Sequence, residues 1–176
     1  MTQSMRAVQI NSYGGREVLE LNNIDIPAVT EGNVLIKVHA ASVNPVDWKV
    51  REGALASMLP YELPLTLGWD FSGEIVALGD NVDGWAMGDM VYSRPEIMRN
   101  GSYADYIVVA AHEIAKKPQS LNHQHAAAVP LVTLTAWQSL YEIAQLKKGD
   151  KVLIHAGAGG VGIAAIQLAK MKGAYV

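Results

Sequence analysis

The 176-residue chain contains no cysteine, so disulfide bonds, thiolate catalysis and cysteine-ligated metal sites are all excluded within it. It also carries little charge: 18% of its residues are charged, and the formal net charge is −3 with a pI near 5.9. Nucleic acids and acidic membranes are held mainly by clustered positive charge. This composition therefore argues against either as a partner.

Long apolar runs are missing as well. No stretch reaches the roughly eighteen apolar residues that a membrane-spanning helix needs, and residues 1–6 lack the apolar core of a signal peptide. The default expectation is a cytoplasmic protein with no membrane partner. What the chain does have is 50% apolar residues, which is ordinary for a folded protein of one or two domains.

Up to about residue 120 the sequence has the pattern of short strands separated by turns. Apolar and polar residues alternate over 34–41, and a second long strand is predicted over 71–78, bounded by Gly68 before it and by the turn residues 79–81 after it. Further strands are predicted over 5–11, 17–22, 90–93 and 103–110. Strands at this spacing predict a β-barrel or a β-sandwich.

Beyond residue 125 the pattern changes to that of an α/β unit. Pro130 is expected to end or kink a first helical piece, and a second helix is predicted over 132–145. Residues 152–154 then predict a short buried parallel strand, because they form an apolar run directly after a turn. We place the domain boundary between residues 125 and 126.

A glycine-rich turn, GAGGVG, follows this predicted strand. Its first glycine, Gly157, would permit a tight turn, Gly159 would let the backbone approach a pyrophosphate, and Gly162 would let the next helix pack closely. A helix is predicted over 161–171 with Gly173 as its C-terminal cap, and 174–176 would begin another strand. The alternative is a glycine-rich turn that packs without a ligand.

Four stretches together resemble the medium-chain dehydrogenase/reductase superfamily, and within it the zinc-free quinone oxidoreductases and enone reductases. They are residues 41–49, 67–79, 127–137 and the glycine turn. The resemblance implies a mainly β GroES-like catalytic domain over 1–125. It also implies the start of an α/β Rossmann domain over 126–176, which would be truncated because a Rossmann domain needs about six strands.

The same resemblance bears on metal binding. In zinc alcohol dehydrogenases of this superfamily, a cysteine matches the segment at Asn44 and Pro45, and a histidine matches Trp69. This chain has neither, so no metal site is expected, and none of its five histidines shows the i, i+4 spacing of a metal-binding pair on a helix. Trp69 would then be either a ligand contact or an ordinary core aromatic at the start of a strand.

The resemblance also assigns candidate site residues. Asn44 and Lys49 are the candidate catalytic residues, and Asn44 and Thr133 would lie by the nicotinamide. Alternatively, Asn44 opens a turn, Thr133 bonds its own helix backbone and Lys49 is a solvated surface lysine. The remaining candidate cofactor contacts form the turn: Gly157, Ala158, Gly159, Gly160, Val161 and Gly162.

The implied function is hydride transfer from NAD(P)H to a quinone or an α,β-unsaturated carbonyl compound, without a metal. NADPH is the expected cofactor, although NADH stays open because the discriminating residues would lie beyond Val176. Residues 1–176 alone are expected to be inactive, and a homo-oligomer of the complete protein is left open. The alternative is a non-catalytic binding or scaffold protein on the same fold.

Overall fold

The computed structural model describes residues 3–176, which fold as two compact units. The first extends to Ala128 and is mainly β; the second, Val129–Val176, is mainly helical. The boundary predicted after residue 125 falls inside helix α2, His123–Ala127, and the division in the structure comes just after this helix ends.

The first unit contains two antiparallel sheets. A three-stranded sheet has the order β2-β1-β4, and a five-stranded sheet has the order β7-β3-β5-β6-β8. Their strands are β1 Ser4–Ile10, β2 Leu19–Asp25, β3 Asn33–Ala41, β4 Leu65–Thr66, β5 Phe71–Leu78, β6 Met90–Ser93, β7 Tyr106–Ala110 and β8 Ala115–Lys116.

Alternating burial along the central strands builds the core of this unit. Val34 and Ile36 of β3 are fully buried, whereas Lys37 and His39, farther along the same strand and on its other face, are exposed. The predicted strands over 34–41, 71–78 and 90–93 are confirmed. One core cluster lies on the five-stranded sheet, formed by Val34, Ile36, Phe71, Ile75, Val91, Ile107, Val109 and Ile114.

Two predicted strands begin later than expected. Arg16–Val18 forms a 3-10 turn before β2, and β7 begins at Tyr106 rather than at residue 103. The reason at β7 is that Tyr103 bonds elsewhere: its N–H donates to Leu67 O at 2.9 Å, and its carbonyl accepts from Val8 N at 2.7 Å. Tyr103 is therefore hydrogen-bonded to Leu67 and Val8, and the pairing with β3 begins only at Tyr106.

Helix α1, Pro45–Arg51, was predicted only as a turn after Asn44. Asn44 is its N-cap, with extended backbone angles, and Pro45 takes the first helical position, where its missing N–H costs nothing. The carboxylate of Asp47 accepts the Asn44 N–H at 2.6 Å, as in a capping box. The N-x-x-D spacing was therefore the signal for a helix start.

The second unit packs two helices against each other. Helix α3, Pro130–Trp137, continues into a π-helical segment, Gln138–Ile143, and α4 covers Gly160–Met171. The helices predicted over 132–145 and 161–171 are confirmed, although six residues of the first are π-helical. Gly173 has a φ of +81° just after the end of α4, as its predicted capping role requires. Buried residues of this core are Ala136, Leu140, Leu146, Ala165, Leu168 and Ala169.

The predicted buried strand at residues 152–154 is wrong. Only a single parallel bridge forms, between Lys151 and Tyr175, and Leu153 is 82% exposed. Val152 and Ile154 pack on the core of the second unit, so burial covers one face only. Among the described residues Tyr175 is the one bridge partner of this segment, and a strand buried on both faces needs more cover.

None of the helices within residues 3–176 is both long enough and apolar enough to cross a lipid bilayer.

Candidate functional site

A buried polar network surrounds the start of α1. Asn44 is 5% exposed, and its side-chain Nδ2 donates to Asp70 Oδ2 at 2.8 Å and to Ser42 Oγ at 3.1 Å. The Ser42 hydroxyl in turn donates to Asp70 Oδ2 at 3.0 Å. Buried polar groups are stable only when paired, so this triangle fixes all three side chains.

Asp47 extends the network from the third helical position of α1. Its Oδ2 accepts the Tyr103 hydroxyl at 2.8 Å as well as the Asn44 N–H, while its Oδ1 is buried without a hydrogen-bond partner among the described residues. Burial raises the pKa of Asp47, and the Asn44 N–H, the Tyr103 hydroxyl and the backbone of Trp69 partly offset that rise. Burial and the neighbouring Asp47 also raise the pKa of Tyr103.

A glycine makes room for the tyrosine of this network. Gly68 has a φ of +96°, and a Cβ built on it would lie 2.3 Å from the Tyr103 ring. No other residue fits this position, since both the backbone angle and the ring exclude a side chain. Ser42, Asp47 and Asp70 lie in the sequence stretches 41–49 and 67–79 but were assigned no role, and Tyr103 was predicted only as the start of a strand.

Trp69 lies in the core rather than at a surface that a ligand could reach. It is fully buried in a cluster with Ile10, Val50 and Leu67, and its indole N–H donates to Arg99 O at 3.3 Å. The Tyr61 ring stacks on it at 5.9 Å between ring centres. The structure therefore favours the core interpretation of Trp69.

Lys49 is exposed on α1, and its Nζ lies 5.6 Å from the ring centre of the adjacent Trp48. This is the arrangement of a solvated lysine with a weak cation–π contact. Lys49 and Asn44 share the same helix, but one is exposed and the other is buried. No contact links the Lys49 side chain to the Asn44 network among residues 3–176.

Thr133 and the glycine turn belong to the second unit. Thr133 is half-buried in α3, and its backbone N–H donates to Val129 O at 3.0 Å. Its neighbour Val132 lies against the turn: a Cβ built on Gly160 would come 3.0 Å from Val132 Cγ1. Helix α3 therefore contacts the beginning of α4 through Val132, the residue directly before Thr133.

The glycines of the turn differ in the space around them. A Cβ on Gly162 would lie 2.2 Å from Ala156 O and 2.7 Å from Gly157 Cα, so this position has no room. A Cβ on Gly159 would meet only Ala156 O, at 3.3 Å. The left-handed backbone needed for the tight turn falls on Ala156, with a φ of +52°, and not on Gly157 as predicted.

The start of α4 has the features of a phosphate-binding turn. Gly159 is its N-cap and makes no side-chain cap, and the first-turn N–H groups of a helix have no partner within it. Those N–H groups and the helix dipole favour an anion. The turn is therefore more open at Gly159 than at Gly162 and has no side-chain cap, features that suit a dinucleotide pyrophosphate.

A histidine pair is a second polar cluster of the first unit that the sequence did not predict. The rings of His39 and His123 lie 4.5 Å apart between centres, and His39 Nε2 lies 3.6 Å from Glu74 Oε2. Ser72 Oγ donates to Val91 O, so His123 Nδ1 must be the donor in its 2.9 Å contact with Ser72. Burial is the main cause that lowers the pKa of His123.

One cavity of about 750 Å³ opens on the first unit, and its lining contains none of the predicted site residues. Its charged lining residues are Asp25, Glu62 and Arg99, and Nη2 of Arg99 donates to both carboxylate oxygens of Glu113. No group of three or more metal-ligating side chains is gathered anywhere in residues 3–176.

Residues 30–119 match the family model of the alcohol dehydrogenase GroES-like domain. The chain belongs to this family. The GroES-like domain thus accounts for strands β3 to β8 and for helix α1, including the Asn44 network. The family that the sequence resembles is thereby confirmed, together with the mainly β fold of its first domain.

Individual relatives of this GroES-like chain agree with the family match. It is 42% identical to human quinone oxidoreductase over 170 residues, covering 96% of the chain and 50% of that protein. It is 37% identical over 174 residues to a mitochondrial NAD(P)H oxidoreductase of Dictyostelium discoideum, covering 94% and 49%.

A solved structure resembles it closely as well. The quinone oxidoreductase of Coxiella burnetii superimposes with a TM-score of 0.91 at 43% identity, covering 98% of this chain and 55% of that one. The chain therefore spans about half the length of the proteins that it matches.

Proposed function

We propose that this chain is the catalytic GroES-like part, with the beginning of the nucleotide-binding part, of an oxidoreductase that reduces quinones or α,β-unsaturated carbonyl compounds with NADPH. Relatives named quinone oxidoreductase and NAD(P)H oxidoreductase support the class of reaction. NADPH rather than NADH, and enones beside quinones, come from the resemblance of the sequence motifs.

The open turn at Gly159 is the observation that carries the cofactor part of the proposal. The first-turn N–H groups of Gly160, Val161 and Gly162 would hold the pyrophosphate, and Gly157 and Ala158 would line its approach. When bound, the nicotinamide supplies a hydride to an electron-poor carbon. Thr133 and Asn44 would contact the nicotinamide half.

The chemistry of two side chains supports a reaction without zinc. Where zinc-dependent members have a cysteine and a histidine, this chain has an amide held by Asp70, at Asn44, and a fully buried indole, at Trp69. Neither is a ligand that zinc prefers. The protein's part is then to position the reactants and to exclude water, and misplacement by about 1 Å can cost on the order of a hundredfold in rate.

The test compares two proteins at equal concentration: residues 1–176, and a protein in which the same chain continues into a complete nucleotide-binding domain. A simple quinone and a short-chain enone are offered with NADPH, and its absorbance is followed. We expect turnover only from the longer protein. Comparable turnover by residues 1–176 would contradict the proposal, and NADPH binding without turnover of either substrate would favour a scaffold protein.

Metal content is measured on the same preparations. Elemental analysis of protein purified without a metal-affinity tag is expected to find zinc far below one equivalent. Stoichiometric zinc, or activity that is lost with a chelator and restored by zinc, would overturn the metal-free part of the proposal alone.

A further inference from the structure

The neighbours of Asn44 determine which of its amide groups is left for a ligand. A side-chain amide has two N–H donors and one carbonyl oxygen. Both donors of Asn44 are used, one by Asp70 Oδ2 at 2.8 Å and the other by Ser42 Oγ at 3.1 Å. No side chain of residues 3–176 donates a hydrogen bond to its Oδ1, and a carbonyl oxygen that caps the start of α1 keeps a second lone pair. Asn44 can therefore accept a further hydrogen bond but cannot donate one.

The reverse orientation of this amide is strongly disfavoured. It would bring Asn44 Oδ1 against Asp70 Oδ2 and against a Ser42 hydroxyl whose hydrogen already points to Asp70. Two acceptor–acceptor contacts would replace two hydrogen bonds in a site where Asp70 is fully buried. Poor solvation makes such mismatches costly.

We propose that Asp70 is a positioning residue that holds the Asn44 amide so that only its carbonyl oxygen meets a ligand. Asn44 then recognises a hydroxyl donor and does not polarise a substrate carbonyl. This inference rests on the proposed function. The hydroxyl could come from a ribose of the cofactor or from a quinol product, and the experiments below separate these two sources.

The first test uses residues 1–176 alone and needs no activity. In ¹⁵N-labelled protein, the two side-chain N–H resonances of Asn44 are assigned with the help of Asn44→Asp, which removes them. We expect their hydrogen exchange to be slow and to become at least about tenfold faster in Asp70→Asn, because a charge-assisted hydrogen bond is lost. Asp105→Asn is the matched control, since Asp105 pairs with Arg6 at the surface.

The second test exchanges the two side chains in a protein with a complete nucleotide-binding domain. In the double variant Asn44→Asp with Asp70→Asn, the amide at position 70 can donate to the carboxylate at position 44. Position 44 then offers an acceptor but no donor. We expect each single variant to bind its ligand about tenfold more weakly, and the double variant to recover to within about threefold.

Two measurements on these variants distinguish the source of the hydroxyl. If it belongs to the cofactor, the variants change NADPH affinity measured without quinone. If it belongs to the quinol, they change only product inhibition by the quinol. Either pattern supports the acceptor role of Asn44.

Two results would overturn the inference. One is unchanged exchange of the Asn44 amide in a folded Asp70→Asn variant. The other is a folded double variant that stays as impaired as the worse single variant, because that outcome would show Asn44 to be a donor. If residues 1–176 give the expected exchange but the longer protein reduces no quinone or enone, only the proposed function fails. Should Asp70→Asn not fold, Ser42→Ala and the double variant still test the orientation.

Discussion

Two glycines of one turn, Gly159 and Gly162, have different surroundings in the folded chain. The backbone of Ala156 and Gly157 leaves no room for a side chain on Gly162, so this glycine serves packing. Gly159 has a negative φ, and an added Cβ would meet only Ala156 O, at 3.3 Å, a tight contact that a shift of a few tenths of an ångström relieves. The fold therefore demands glycine much less strongly at Gly159 than at Gly162, and under the proposed function a bound pyrophosphate adds a further reason.

This difference predicts that a substitution by alanine affects stability at position 162 and NADPH binding at position 159. Gly162→Ala is expected to lower the free energy of unfolding by about 3 kcal/mol, because two backbone atoms would have to move. Gly159→Ala should change it by less than about 1 kcal/mol, yet weaken NADPH binding about tenfold in a protein with a complete nucleotide-binding domain. Urea denaturation followed by circular dichroism measures the first effect, and cofactor fluorescence measures the second.

Equal destabilisation by the two substitutions would contradict the packing difference. Unchanged NADPH affinity in Gly159→Ala would instead show that the turn serves packing only.

At the scale of elements, the sequence predicted those structures whose pattern and surroundings agree. Strand β3 and helix α4 follow from their residue patterns, because one face of each is buried. Strand β5, whose first three residues are all buried, follows instead from the glycine-containing turns on either side of it. Helix α1 was missed, since a seven-residue helix gives too short a period and depends on Asn44 and Asp47 for its start. The run 152–154 was misread because apolar residues cannot indicate whether a partner strand is present.

The candidate site shows the same limit. Motifs located Asn44 and the glycine turn, but the partners of Asn44 lie 2 and 26 residues away in sequence, at Ser42 and Asp70. Only the pairing of β3 with β5, which joins Ala41 to Phe71, brings them together. Contacts set by strand register cannot be read from local spacing.

Helix α2 docks onto the five-stranded sheet through a histidine, which predicts a pH dependence. Burial lowers the pKa of His123, with smaller contributions from His39 and Lys117, while Glu74 opposes them. The unfolded chain therefore binds a proton that the folded chain excludes as the pH falls through about 6.5. This contribution to stability is present above that pH and is lost as the pH falls towards the lowered pKa of the folded state.

Urea denaturation at pH 7.5 and at pH 5.5 measures the effect. His123→Gln should lose less stability between these two conditions than the unsubstituted protein, whereas His125→Gln, exposed on the same helix, should keep its pH dependence. An identical loss in all three proteins would remove His123 as the cause.

At the scale of the whole molecule, the second unit exposes large apolar side chains. Ile143 and Leu153 are each 82% exposed, Met171 is 80% exposed and Tyr175 is 73% exposed. Exposed apolar surface of this kind marks a contact site or promotes association. Residues 1–176 are therefore expected to bind an apolar dye and to associate at high concentration.

Substitution of adjacent residues tests this surface. Leu153→Lys should reduce dye fluorescence and association while changing the free energy of unfolding by less than about 0.5 kcal/mol, because Leu153 is exposed. Ile154→Lys, the matched control, should cost about 2 kcal/mol because Ile154 packs on the core. If both variants destabilise equally, residues 152–154 are covered on both faces after all.

The contact between Gly68 and Tyr103 limits which residues relatives of this protein can have at these two positions. The Tyr103 phenol reaches Asp47 only across a residue without a side chain, so tyrosine at position 103 requires glycine at position 68. The converse does not hold, because the positive φ of Gly68 favours glycine whatever residue stands at 103. A relative that keeps the tyrosine is therefore expected to keep the glycine, whereas one that lacks the tyrosine has lost the donor that accompanies the Asn44 N–H on the buried carboxylate of Asp47.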